Sequence, residues 1–135
     1  MKATIKMKNP FIPISWGELF DKITILQIKS EKILSPDSLK NVDKELKELR
    51  LIFDKAFAKN LLALEFTEKL RQINFELWNI EDQIREKERK KAFDNEFIQL
   101  ARSVYMNNDQ RSIIKGKINK AFGSDLVEQK LYSRY

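Results

Sequence analysis

The stretch ARSVYMNNDQRSIIKGKIN, Ala101 to Asn119, gathers the side chains best suited to hold an anion: Arg102, Tyr105, Asn108, Arg111 and Lys115. Arg102 and Tyr105 are three residues apart and share a helical face, as do Arg111 and Lys115 at a spacing of four. Between the pairs, NND reads as a break between two helices, with Asp109 capping the second. Such a corner would turn all five side chains into one hollow. The helix start would add unpaired N–H groups and partial positive charge. Arginine suits the task because its planar guanidinium meets carboxylate or phosphate oxygens in pairs. Tyr105 and Asn108 would orient a ligand rather than neutralise it. The competing reading is structural: Asp109 is only a cap, and the arginines pair with acids such as Glu81, Asp82 or Glu88.

A second polar group opens the first helical segment, where Trp16, Glu18, Asp21, Lys22 and Lys29 follow one another around Gly17. Glu18 and Asp21 are similar to half of the carboxylate set with which all-helical nucleotide pyrophosphohydrolases hold Mg²⁺, and Glu81 and Asp82 would be the other half. The enzymatic alternative is therefore a Mg²⁺-dependent helical hydrolase of nucleotides or sugar phosphates. IEDQIREKER, Ile80 to Arg89, is similar in composition to the long first helix of small helical chorismate mutases, but Glu86 and Lys87 stand where those enzymes bury an apolar pair.

Composition removes whole classes of chemistry. Cysteine and histidine are both absent, which excludes disulfides, thiolate nucleophiles and cysteine-ligated zinc, and takes away the commonest general base near neutral pH. Three glycines, Gly17, Gly116 and Gly123, cannot build a P-loop or a dinucleotide fingerprint. No resident metal or other cofactor is expected. The net charge of +6 is dispersed: residues 1–14 carry +3, 94–123 carry +2, 36–63 carry +1, and the remainder balances. With no recognition motif beside it, that excess does not point to nucleic acid as a partner. No stretch approaches the roughly 20 apolar residues of a membrane span. MKATIKMKNPFIPIS lacks the apolar run and cleavage site of a signal peptide, so a cytoplasmic protein without a membrane partner is expected.

The chain of 135 residues should form one helical domain. In residues 1–14, loose alternation with Pro10 and Pro13 predicts a short strand or extended arm laid over the core. Ser15 and Glu18 have the spacing of a capping box, and Leu19, Phe20, Ile23, Leu26 and Ile33 carry a helix from Trp16 to Leu34. Ser35 and Pro36 start a second helix, with Leu39, Val42, Leu46, Leu49 and Phe53 on one stripe, ending near Lys59 and Asn60. In the third, Leu70, Ile73, Leu77, Ile80 and Ile84 form a seam for an antiparallel neighbour, expected to be the second helix. Asp94 caps a fourth helix carrying Phe97, Leu100, Ala101 and Val104, either separate from the third or joined to it through a bend. A fifth, with Ile113, Ile114, Ile118 and Phe122, stops at Gly123, and Ser124 starts a last short helix in DLVEQKLYSRY. The expected fold is all-α, about five helices with a long antiparallel hairpin and an extended N-terminal arm. An arm without a partner strand in its own chain favours a homodimer.

Four blocks, ISWGELFDKITILQIKSEKI, LWNIEDQIREKE, FIQLARSVYMNNDQRSIIKGKIN and GSDLVEQKLY, resemble in content and order a small helical family of bacteria and their phages known only as a domain of unknown function. The resemblance falls on Gly17, Glu18, Asp21, Lys22 and Lys29, and on Arg102, Tyr105, Asn108, Asp109, Arg111 and Lys115, while Gln27 stands where relatives often carry Glu. It implies a setting beside surface-polysaccharide and glycosyl-transfer functions. The functional expectation is a non-catalytic accessory module binding an anionic small ligand, a phosphorylated sugar or nucleotide sugar. Arg102, Arg111 and Lys115 would hold it, and Tyr105 and Asn108 would orient it. A purely structural protein-interaction module is the third reading.

Overall fold

Side-chain caps set three of the four helix starts in the computed structural model, which describes residues 4–135. Ser15 Oγ accepts from Glu18 N at 3.1 Å and opens α1, Trp16–Lys32. Asn60 Oδ1 accepts from Ala63 N at 3.0 Å and opens α3, Leu61–Arg89. Asp94 Oδ1 accepts from Phe97 N at 2.9 Å and opens α4, Asn95–Ala121. The remaining helix, α2 (Pro36–Phe57), has Pro36 in its first turn, where a missing N–H costs nothing, and Ser35 makes no side-chain cap bond. Half of the expected capping box is absent, since the Glu18 carboxylate bonds Lys115 instead of reaching back to Ser15.

The all-α expectation holds, with four helices among the described residues rather than about five. The NND triplet does not break the chain: Asn107, Asn108 and Asp109 lie inside α4, and Asp109 caps nothing. Each of these residues costs a helix well under about 1 kcal/mol relative to alanine, which packing outweighs. Asn107 turns its own polarity inward, donating from Nδ2 to Ser103 O at 2.8 Å. Gly123, at φ +65°, does provide the left-handed stop. The expected last helix is absent, and residues 125–135 are irregular. α3 and α4 are separate, joined by a short turn in which Lys91 takes φ 53° and Lys87 binds both Asp94 and Glu96.

The long hairpin is formed by α3 with α4, not by α3 with α2. α1 is central, touching all three other helices, whereas α2 rests on α1. The core lies where the N-terminal half of α1 meets the C-terminal ends of α2 and α4. Phe20, fully buried, has ring neighbours Phe53 at 5.0 Å, Phe57 at 5.1 Å and Phe122 at 5.8 Å, mostly edge-on as aromatic quadrupoles prefer. Leu70 and Ile118 close the cluster from α3 and α4. From residue 81 to residue 107 no side chain is buried, so the far half of the hairpin projects as a two-helix arm.

The N-terminal arm is not a strand and does not cover the core. Residues 4–15 have no regular structure, and Phe11 is 99% exposed. The expected arm begins with residues 1–3, which lie outside the described residues. Among the described residues no helix is long and apolar enough to cross a membrane.

Candidate functional site

At Gly17 the α1 backbone approaches α4 closely. A Cβ at that position would lie 2.7 Å from Lys115 O and 2.9 Å from Asn119 Oδ1, so only a glycine fits unless the helices part. Its N–H donates to Asn119 Oδ1 at 2.7 Å. Ser124, just past the end of α4, bonds the same oxygen at 3.2 Å and accepts from Trp16 N at 2.9 Å.

This close approach drives Lys115 against the acids of α1. Its Nζ lies 2.9 Å from Glu18 Oε2, 3.6 Å from Asp21 Oδ2 and 3.5 Å from Glu128 Oε2 of the C-terminal segment. The Lys115 side chain is 12% exposed and that of Asp21 6%. Burial alone would push the ammonium's pKa down. The Glu18 hydrogen bond and the charges of Asp21, Glu18 and Glu128 outweigh it and hold that pKa above the ordinary lysine value. Burial would likewise raise the Glu128 carboxyl, but Lys115 and Lys130 bring it below the usual range.

From Asp21 a chain of hydrogen bonds crosses the bundle. Asp21 Oδ1 accepts from Asn74 Nδ2 at 2.8 Å, and the same amide nitrogen donates to Thr24 Oγ1 at 2.9 Å. Thr24, in turn, donates to Asp21 O at 2.8 Å. With its nitrogen committed to α1, Asn74 points Oδ1 at α4, where it accepts from Arg111 Nη1 at 3.2 Å. Asp21, Thr24 and Asn74 are all buried, and among the described residues no buried side-chain N or O atom lacks a partner. Satisfied networks of this kind fix one arrangement because any slip strands a polar group.

Arg111 ends the chain in a different state from Lys115. It is half-buried and its bond goes to a neutral amide; among the described residues no carboxylate ion-pairs with it. Arg111 and Asn108 form a wall shared by two cavities. The first, about 500 Å³, lies between α1, α3 and α4; Ile25, Ile28, Leu77 and Trp78 make its apolar part, with Glu81, Asp82 and Arg85 at its polar edge. The second, about 920 Å³, lies between α4 and the C-terminal segment, with Tyr105, Tyr132 and Tyr135 as aromatic walls and Lys130 and Arg134 as further cations. Tyr135 closes it by donating its hydroxyl to Asp109 Oδ2 at 2.7 Å and packing edge-on against Tyr105 at 5.1 Å.

Residues 10–135 match the model of a family of unknown function, DUF6165. The chain belongs to that family. Comparison with curated proteins and with solved structures finds no match.

In this DUF6165 chain the five ligand candidates divide. Tyr105, Asn108 and Arg111 line the cavities, Lys115 sits behind them bound by three acids, and Arg102 lines neither. The corner that was to unite them does not exist. In a continuous helix at about 100° per residue, the nine-residue step from Arg102 to Arg111 turns their side chains about half a circle apart. Arg102 is exposed and contacts Gln99 at 3.4 Å. Of the acids proposed as structural partners, Glu81 pairs with Arg85 at 3.9 Å and Glu88 with Lys91 at 3.0 Å, and Asp82 pairs with neither arginine.

The α1 group also separates. Trp16 packs edge-on against Phe57 at 5.0 Å and belongs with the core, and Lys22 reaches Glu45 of α2 at 3.5 Å. Lys29 is half-buried and lines neither cavity beside Arg111. Glu18 and Asp21 are engaged by Lys115 while Glu81 and Asp82 edge the first cavity, so the four-carboxylate set is not assembled. Among the described residues no three acidic side chains are grouped to hold a metal ion. The sequence reading missed Asn74, Trp78 and the C-terminal tyrosines. Asn74 had a signal: it falls four residues after Leu70 and three before Leu77, on the apolar stripe of α3.

Proposed function

We propose that this protein is a binding module for a phosphate-bearing small anion, with Arg111 as the anchor and Tyr105 and Asn108 beside it. The observation that carries the reading is the state of Arg111: a half-buried guanidinium, oriented by the neutral Asn74 amide, unpaired with acid among the described residues, and facing two cavities. A buried cation without an opposing charge favours an anion. Arg134 and Lys130 raise the positive potential of the larger cavity, and Asp109, its carboxylate, is occupied by Tyr135. Lys115 positions this wall rather than touching the ligand, because three carboxylates already surround it. Arg102 has no part in the site.

Binding of inorganic phosphate, pyrophosphate and nucleoside diphosphates tests the reading, by calorimetry and by thermal shift. A ligand at a hundred times its Kd stabilises the fold by about 2.7 kcal/mol, a rise in Tm of a few degrees for a domain of this size. Arg111→Ala should abolish the rise and Arg102→Ala should preserve it. Absence of any shift with all three probes, or an undiminished shift in Arg111→Ala, overturns the proposal.

A further inference from the structure

The two cavities that share Arg111 have different linings. The larger one offers cations and three tyrosine rings, a setting for phosphate and a flat heteroaromatic base, since base–aromatic stacking tolerates any base. The smaller one places two carboxylates, Glu81 and Asp82, beside the apolar ring of Trp78. Arg85 lines it as well, so its charges balance with Arg111 at the shared wall, and because ionised carboxylates only accept hydrogen bonds, the lining suits a neutral group rich in hydroxyl donors. Asp82 is in no ion pair among the described residues, and Glu81 has only the 3.9 Å contact with Arg85, which leaves acceptor capacity on both. An aromatic ring with Ile25, Ile28 and Leu77 in the same lining suits the C–H face of a sugar, and about 500 Å³ is ample for one such ring.

We infer that the first cavity is a sugar subsite and that the ligand is a nucleotide sugar lying across Arg111. Its nucleoside lies among Tyr105, Tyr132 and Tyr135, its phosphates on Arg111 and Arg134, and its sugar over Trp78 with hydroxyls donating to Glu81 and Asp82. This rests on the reading of Arg111 as the phosphate anchor and decides between the sugar-bearing classes of anion: a sugar phosphate would leave the tyrosine side empty, and a free nucleotide would leave the Trp78 side empty.

Calorimetry on the full chain with two matched pairs, UDP with UDP-glucose and GDP with GDP-mannose, tests it, with glucose 1-phosphate as a third probe. In at least one pair the sugar conjugate should bind about tenfold more tightly than its parent, the factor expected of one or two hydrogen bonds to charged acceptors. The exposed double variant Glu81→Gln/Asp82→Asn should bring the ratio of conjugate to parent affinity to about one, whatever it does to the parent diphosphate's own affinity. Tryptophan emission should respond to the conjugate and lose that response in Trp78→Phe. Equal binding within both pairs, still dependent on Arg111, overturns the sugar subsite and leaves the phosphate site standing. Glucose 1-phosphate binding as tightly as the conjugates overturns the nucleoside half. No Arg111-dependent binding of any probe removes the inference together with the function it rests on.

Discussion

Gly17→Ala and Gly116→Ala are the same chemical change on two helices that touch, and they should act in opposite directions. At Gly116 nothing lies within 4 Å of the added methyl, so the variant should gain the helix preference of alanine over glycine, about 0.5–1 kcal/mol. At Gly17 the methyl would sit 2.7 Å from Lys115 O, a backbone atom that cannot swing aside, and 3.1 Å from Lys115 Cβ. Overpacking of this kind costs about 1–3 kcal/mol. Lengthening the buried Gly17–Asn119 bond of 2.7 Å adds about 1 kcal/mol, while the propensity gain returns at most about 1 kcal/mol. The net is a loss of about 1–3 kcal/mol, and the twins should differ by about 2–4 kcal/mol.

Urea unfolding followed by circular dichroism resolves that difference, since slopes of about 1–3 kcal/mol per molar put the two midpoints on the order of 1 M apart. Wild type should fall between them. A Gly17→Ala midpoint at or above wild type would show that α1 and α4 have slack at their crossing. The register of Lys115 against Glu18 and Asp21 would then not be set by this contact.

Other perturbations follow the polar chain outward. Asn74→Leu should cost about 2–4 kcal/mol by leaving Asp21 and Thr24 without their shared donor, and should weaken phosphate binding in calorimetry even where the variant is fully folded; unchanged affinity would detach Arg111 from its support. Lys115→Met should cost about 3 kcal/mol in the same urea titration, nearly all through Asp21, because Glu18 at 42% exposure is screened by water. Glu128 has a lowered pKa, so its hold on Lys115 is present above the unfolded value and is lost as pH falls through the folded one. NMR relaxation of residues 126–131 should therefore show greater mobility once the pH falls below the ordinary glutamate value of about 4.3. Lys115 has a raised pKa, so its contribution is complete below the unfolded lysine value and stability should not change through this pair between about pH 6 and 9.

Local signals were legible because capping and termination are decided within a few residues. Ser15, Asp94 and Gly123 act as their types suggest. Signals that depend on a partner were not. The stripe of α3 marks which side is buried but not by what, and both α2 and α4 offered an amphipathic answer; only Phe53 and Phe57 of α2 are buried. DLVEQKLYSRY has a helical pattern yet finds no surface for it: Leu131 is 98% exposed and Val127 51%. A helix that short is marginal in water without packing. The triplet NND failed in the other direction, since its weak local preference for a break was outweighed where α4 lies against α3.

Continuity of α4 is also what distinguishes its cations from one another. Spacings of three, three and four keep Tyr105, Asn108, Arg111 and Lys115 within about a third of the circumference of an unbroken helix, while the drift of about 60° per three-residue step puts Arg102 opposite Arg111. Within that set the outcome depends on what α1 and α3 present opposite each side chain. Lys115 meets Glu18 and Asp21 and becomes a structural tie, whereas Arg111, one turn away, meets an amide whose nitrogen is already committed to Asp21 and Thr24. Had Asn74 been an acid, Arg111 would be neutralised like Lys115, and the wall between the two cavities would carry no charge for a ligand to meet. The capacity to hold an anion is therefore a property of the Arg111–Asn74 pair, which no stretch of α4 contains by itself.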